Sequence, residues 1–235
     1  LDRRQRQMCI RDREEGVQEY DERGRLIRSF WDTTNDFMPG DEREYFYNAN
    51  DQLVIEIGMD AWSDQRRVTR HTYDARGFRV LTQTDRAWLE QMVTRMTYSD
   101  DGLMLSKSYD YDADGEFDQR VSYDYDNNGQ WIEEMWVHLP AERVQQVTYR
   151  EYDEEGRLLH QFADYQGDGS IDSQVFYTYE MLGMVSTESH DRNGDNQVDG
   201  SQRHVRDADG KLLKTEEFYG AVSMDNLLAT VVYSY

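Results

Sequence analysis

Three stretches of this 235-residue chain carry oxygen-bearing side chains at every second position, a spacing that can hold a hard cation. The first is Asp110, Asp112, Asp114, Glu116 and Asp118. The second is Asp164, Gln166, Asp168, Ser170 and Asp172, and the third is Asp191, Asn193, Asp195, Gln197 and Asp199. In each, the sixth place holds a residue suited to a sharp turn (Gly115, Gly169, Asn196) and the eighth an apolar one (Phe117, Ile171, Val198). Calcium takes about six to eight oxygens at about 2.3–2.6 Å, and a loop folded round the ion delivers them from alternate residues. The apolar eighth side chain would pin such a loop to the structure beneath it. These side chains are therefore candidate Ca2+ ligands.

The spacing resembles the calcium loops of EF-hands, dockerins and thrombospondin repeats. It departs from the EF-hand at the twelfth place, where a bidentate Glu is replaced by Val121, Val175 and Gln202. Such an incomplete ligand set implies a dissociation constant of about 10⁻⁴ to 10⁻³ M, as in extracellular modules, with water or a neighbouring loop completing the shell. Calcium at that level predicts a secreted, periplasmic or cell-surface location. The competing reading makes each Asp-Gly an ordinary tight turn with solvated acids around it. Turns alone do not require acids at alternate places in three loops in register, which favours the metal. The Asp32-Thr33-Thr34-Asn35-Asp36 stretch stands in the same phase but runs into Met38-Pro39, and the pattern is lost near Asp60, Asp85, Val137 and Phe218.

A repeat positions these loops. A turn signature, Tyr-Asp-x-x-Gly-x-Leu in its fullest form, begins at Tyr20, Tyr47, Tyr73, Tyr98, Tyr125, Tyr152 and Tyr179, with Arg206 in the tyrosine's place at the last, at intervals of 25–27 residues. Glycine falls four residues after the anchor except at Asp51, and an apolar residue two further on except at Arg79. The runs before the anchors alternate, as in Val121, Tyr123, Tyr125 and Val175, Tyr177, Tyr179, which puts one side-chain set on one face of a strand. Turn signals every 10–14 residues leave too little chain for stable helices. The expected fold is all-β: about eight 25–27-residue β-hairpins, or about sixteen strands, in one long antiparallel meander that twist curls into a spiral sheet or open barrel. Residues 1–235 are expected to form a single array, with a partial unit at 1–19, eight repeats at 20–232 and the start of another at 233–235. The tyrosine rings are expected to stack between neighbouring hairpins as core.

The repeated Y-D-x-x-G-x-L, with a second Tyr two residues before the anchor in several units, resembles the YD (RHS-type) repeats of bacterial surface and toxin proteins. The resemblance covers nearly the whole chain. It implies hairpins winding into a spiral sheet, which in that family often forms a shell round a polypeptide. The units here are longer than the family's usual length, and the extra residues fall in the loops opposite the tyrosine turns.

Composition narrows the function. Asp and Glu outnumber Lys and Arg to give a formal charge of −22, which opposes binding to nucleic acid or anionic lipid and suits cations, basic partners or solubility. Lysine is confined to Lys107, Lys211 and Lys214, a skew that a halophilic source would also produce. Cys9 is the only cysteine, so neither an intramolecular disulfide nor a cysteine-based zinc site can form. No apolar run reaches the roughly 20 residues of a membrane-spanning helix, so no membrane insertion is expected.

The histidines (His71, His138, His160, His190, His204) have no ligand spacing, and His71 and His204 stand where other units have Tyr, as cross-strand substitutes. With no phosphate loop and no nucleophile motif, the chain is expected to be non-enzymatic. The leading expectation is a calcium-stabilised scaffold or interaction module of an extracellular or surface protein. One alternative is a glycan- or protein-binding module using Trp31, Trp62, Trp88, Trp131 and Trp136, which otherwise pack as filler. Another is part of a toxin-associated YD-repeat shell. Edge-to-edge self-association is a further expectation for any open β-edge.

Overall fold

The period-two runs fold as β-strands, and the tyrosine signatures fold as the turns between them. A computed structural model describes residues 5–11, 14–32, 41–60, 65–86, 89–180 and 183–233. The chain divides into two compact units, Leu1–Asp118 and Gln119–Tyr235.

The first unit contains β1 (Gln5–Arg11), β2 (Glu14–Tyr20), β3 (Leu26–Asp32), β4 (Asp41–Tyr47), β5 (Leu53–Asp60), β6 (Gln65–Tyr73), β7 (Arg79–Arg86), β8 (Leu89–Tyr98) and β9 (Met104–Asp110). Each pairs antiparallel with the next. The second unit contains β10 (Gln119–Tyr125), β11 (Trp131–His138), β12 (Arg143–Tyr152), β13 (Leu158–Asp164), β14 (Ser173–Tyr179), β15 (Val185–Asp191), β16 (Gly200–Arg206), β17 (Leu212–Tyr219) and β18 (Leu227–Val232), paired in the same way. The expected all-β antiparallel meander is therefore what the chain forms. The eight repeats supply β3 to β18, and β1 and β2 come from the residues before Tyr20. The only helix among the described residues is a 3₁₀ turn, Met224–Asn226.

Each signature builds one turn, and Tyr152–Leu158 shows how. The Asp153 N–H donates to the Arg157 carbonyl and the Gly156 N–H to the Asp153 carbonyl, both at 3.0 Å. The Asp153 carboxylate accepts the N–H groups of Glu155 and Arg157, closing the loop from inside. Gly156 sits at φ +80°, a conformation that costs a side-chain-bearing residue energy. In the repeat without glycine, Asp51 takes φ +61°, which a short polar side chain tolerates. The register slips by one residue at the anchor itself, between Glu151 and Tyr152 here and between Thr72 and Tyr73 in the first unit. The extra residue, Leu159 or Val80, lies on the strand after the turn, while the tyrosine still pairs with Leu158 or Arg79 and its side chain reaches the preceding repeat.

There the phenol finds a fixed target. Tyr47, Tyr73 and Tyr98 donate their hydroxyls to the backbone carbonyls of Leu26, Leu53 and Arg79, at 2.8, 2.7 and 3.0 Å. In the second unit Tyr152 and Tyr179 donate to Trp131 and Leu158, at 2.8 and 2.6 Å. The acceptor is always the residue two past the turn glycine, or past Asp51, of the preceding repeat. Arg206 reaches the equivalent carbonyl of Val185 with its guanidinium at 2.7 Å. Burial pushes the phenol pKa of Tyr47, Tyr98 and Tyr179 up, so the hydroxyl remains a donor.

The anchor rings are half-buried, and the expected ring-on-ring stacking between neighbouring hairpins occurs at Tyr98, whereas guanidinium groups cover Tyr47 and Tyr179. In three repeats the side chain after the turn glycine covers the next anchor. The Arg25 guanidinium lies 4.8 Å above the Tyr47 ring, Phe78 stacks on Tyr98 at 4.9 Å, and Arg157 lies 5.0 Å above Tyr179. Among the described residues full burial is sparse and more often polar than apolar: Met96, Val121, Val137, Val147, Ala163 and Phe218 are buried, alongside polar groups such as Ser29, Thr69, Thr84, Thr148, Gln174, Ser201 and Thr215. Thr69 and Thr84 pair through their hydroxyls across β6 and β7. His71 and His204 face Thr82 and Thr215 across the ladder, each 3.1 Å from the hydroxyl, as expected of cross-strand substitutes.

With so little apolar burial, the tyrosine-to-carbonyl bonds should be individually measurable. Tyr179→Phe keeps the ring and removes only the donor, so it should cost about 1 kcal/mol in urea unfolding. An unchanged midpoint and slope would mean that water satisfies the Leu158 carbonyl equally well.

Candidate metal centre

The acidic loops lie at the hairpin ends opposite the tyrosine turns: 110–118 follows β9, 164–172 joins β13 to β14, and 191–199 joins β15 to β16. All share one hydrogen-bonded frame. The N–H of the sixth residue donates to the first carboxylate: Gly115 to Asp110 at 3.1 Å, Gly169 to Asp164 at 2.7 Å and Asn196 to Asp191 at 2.8 Å. The second N–H donates to the ninth carboxylate: Tyr111 to Asp118, Tyr165 to Asp172 and Arg192 to Asp199. The seventh donates to the fifth: Glu116 to Asp114, Ser170 to Asp168 and Gln197 to Asp195. The ninth N–H returns to the strand, from Asp118, Asp172 and Asp199 to the carbonyls of Tyr109, Ala163 and His190. Alternating acids thus have a structural use whether or not an ion is present, since those at the first, fifth and ninth places accept N–H groups that a tight loop would strand.

Two backbone positions in each loop are left-handed. The sixth was legible from sequence: Gly115, Gly169 and Asn196 take φ +98°, +88° and +64°. The fourth was missed: Ala113, Gly167 and Gly194 take φ +57°, +66° and +70°. Its signal was present, because two of the three loops carry glycine there.

The first carboxylates are nearly inaccessible, with Asp110, Asp164 and Asp191 exposed by 3%, 3% and 1%. Their surroundings differ. Asp164 accepts N–H bonds from Gln166, Gly167, Asp168 and Gly169. Burial pushes its carboxyl pKa up, but these N–H groups, Gly169 first, hold it below the usual carboxylate range. Asp191 is held low in the same way against burial, by Asn196, Asn193, Gly194 and the Gln174 amide. At Asp110 only Oδ2 is served, by Gly115, while Oδ1 is buried with no partner. Asp110, Asp112 and Asp118 each offer a carboxylate oxygen within 4.8 Å of the others, three hard oxygens of the kind calcium takes. Among the described residues this is the one such group of acidic, histidine or cysteine side chains. Asp114 and Glu116 stand exposed on the same loop. The structure does not gather Asp164, Asp168 and Asp172, or Asp191, Asp195 and Asp199, in this way.

The 32–36 stretch, Trp62 and Trp88 lie outside the residues whose side chains are described. Trp131 is half-buried, donates its indole N–H to the Glu133 carbonyl and carries the Arg150 guanidinium 3.4 Å above its ring. That stacking accounts for a buried Arg150 nitrogen with no hydrogen-bond acceptor. Trp136 bonds the Glu134 carboxylate, and Trp31 packs over Gly16. Among the described residues the exposed rings are instead tyrosines and phenylalanines, among them Tyr111 and Tyr165 at the second place of two acidic loops.

Two outcomes follow for the loops. A Cβ at Gly194 would lie 1.8 Å from the Ile171 carbonyl oxygen, so Gly194→Ala should cost about 2 kcal/mol or more in urea unfolding. A wild-type midpoint would show that the loop relaxes freely. Because Asp164 and Asp191 titrate lower folded than unfolded, their stabilisation is complete above the unfolded carboxylate pKa of about 4. It is lost as pH falls through the folded values. Unfolding free energy measured between pH 5 and 2 should fall steadily, and less steeply in Asp164→Asn.

No protein-family profile matches this chain, and no curated protein matches it significantly. Solved structures do. The TcdB2-TccC3-Cdc42 crystal structure aligns over 92% of this chain with a TM-score of 0.64 at 14% identity. The TcdB2-TccC3 structure aligns over 92% with a TM-score of 0.63 at 15% identity, and the form without the hypervariable C-terminal region gives 0.62 at 15%. This chain spans 12% of the length of each matched chain. At such identities the likeness establishes a shared hairpin-repeat fold.

Proposed function

We propose that this chain is a non-enzymatic stretch of β-hairpin scaffold from an extracellular or surface protein, stabilised by calcium at the 110–118 loop. The observation that carries the metal is the buried, unpartnered Oδ1 of Asp110 beside the Asp112 and Asp118 carboxylates. An orphaned buried carboxylate oxygen costs several kcal/mol unless something positive faces it. Asp112 and Asp118 supply negative charge, so a cation is the economical answer. Asp114, Glu116 and water complete the shell. The surplus of acids over bases adds long-range attraction for cations.

The scaffold half of the proposal is supported by the likeness to TcdB2-TccC3 and by the tyrosine signature, which together favour a wall segment of a toxin-associated shell. A wall needs shape and persistence more than a pocket. Calcium then acts on stability, ordering the hairpin end where like charges otherwise repel.

Thermal melting in EDTA, then with calcium titrated to 5 mM and magnesium as control, tests the metal. A dissociation constant of about 10⁻⁴ to 10⁻³ M predicts about 1–2 kcal/mol of added stability at 5 mM. The melting temperature should rise with calcium and not with magnesium. An identical melt in EDTA and calcium would remove the metal from the function and leave the scaffold alone.

A further inference from the structure

The acidic loops share a frame but close in different ways, and the difference lies in the fourth residue and in what faces the first carboxylate. We propose that 110–118 is the only calcium centre among the three loops, and that 164–172 and 191–199 are metal-free copies held shut by hydrogen-bond donors of the chain itself. This rests on the calcium reading above and limits it to one site.

In 191–199 the place of a cation is taken by an amide. Gln174 on β14 faces Asp191 across the ladder. Its Nε2 donates to Asp191 Oδ2 at 3.1 Å and to Asn196 Oδ1 at 3.0 Å, bridging two loop oxygens as an ion would. With both neighbours acceptors, the nitrogen must face the loop and the Gln174 oxygen must face away. That oxygen lies 3.1 Å from His160 Nε2, whose other ring nitrogen is 3.3 Å from the Glu151 carboxylate. The His160 ring is clamped by Phe176 at 4.3 Å and Phe162 at 4.8 Å, so the amide is held in that orientation. Asp191 Oδ1 is meanwhile served by the N–H groups of Asn193 and Gly194. No oxygen of Asp191 is left for a metal.

In 164–172 the backbone does the same work. Gln166, Gly167 and Asp168 converge on Asp164 Oδ1 and Gly169 serves Oδ2. The residue facing Asp164 is Val147, which donates nothing from its side chain, yet the loop closes.

What separates 110–118 from both is the fourth place. Gly167 and Gly194 press into space where a Cβ does not fit, 2.4 Å from Val144 Cγ1 and 1.8 Å from the Ile171 carbonyl oxygen. That approach brings their N–H groups onto Asp164 and Asp191 at 2.6 and 2.8 Å. Ala113 carries a Cβ, and no N–H reaches Asp110 Oδ1. The residue facing Asp110 is Val93, so no Gln174 equivalent fills the gap. One methyl group and one missing amide leave this loop open.

Backbone amide NMR of the full chain under calcium titration reads each loop separately. The Gly115 resonance should shift and saturate in the millimolar range, and the Gly169 and Asn196 resonances should stay fixed. Asp112→Asn, a change at an exposed side chain, should abolish the Gly115 shift or weaken it at least tenfold, while Asp195→Asn leaves it unchanged. Ala113→Gly should let the loop close and weaken calcium at least tenfold. If Gly115, Gly169 and Asn196 all shift, the calcium reading stands and the single centre is wrong. If none shifts, both fall together. Unaltered affinity in Ala113→Gly would overturn the role given to the fourth residue.

Discussion

The fold depends on giving every interrupted backbone carbonyl a donor. A bulge opposite each anchor takes one residue of the following strand out of the ladder, and the carbonyl two past the turn glycine, or past Asp51, of the previous repeat would otherwise face a neighbouring hairpin unpaired. The anchor side chain answers both problems at once. It is long enough to cross between repeats, flat enough to be covered by Arg25, Phe78 or Arg157, and it ends in a donor. This requirement explains why the period is kept so strictly: the reach of one phenol sets the offset between consecutive turns. It also explains how a sheet with few buried apolar side chains holds its register, which in flatter polar strands is prone to slip.

The same economy governs the opposite end of the hairpins. Loops of nine residues expose many N–H groups, and carboxylates at alternate places accept them in a fixed order. Two of the loops are organised further by glycine N–H groups and, at Asp191, by an amide from the adjoining strand. Single side chains change what faces the first carboxylate, so one backbone frame carries a carboxylate served on both oxygens at Asp164 and Asp191 and one with a buried, unpartnered oxygen at Asp110.

Much of this was legible in the sequence. Alternation before the anchors located the strands, and the glycine four residues after each anchor located the turns, including the substitution at Asp51, whose side chain tolerates the same backbone. The fifteen acidic-loop residues were correctly grouped into loops, and the sixth-place turn residues hold the expected conformation. What the tyrosines do was not legible. Periodicity reports that a residue type recurs; it does not say whether the ring or the hydroxyl is the part that matters. Arg206 held the clue, since a guanidinium shares a donor with a phenol and little else. The inequality of the three loops was hidden for a similar reason. Ligand-like spacing is a property of side-chain identity, whereas occupancy by internal donors depends on Gln174, a residue lying outside the motif on a neighbouring strand.

The tyrosine ties have one more consequence. Each joins residues 19 to 21 positions apart, and each strand pairs only with its sequence neighbours within its unit. Every contact of this kind can form as soon as one more repeat has left the ribosome, with no distant partner to wait for. Nascent chain would therefore be captured hairpin by hairpin onto an already folded end, and an exposed strand edge would persist only for the time needed to translate one repeat. Such vectorial growth makes the order of synthesis the order of assembly, and it protects an acidic, weakly cored chain from the aggregation that late-forming sheets invite.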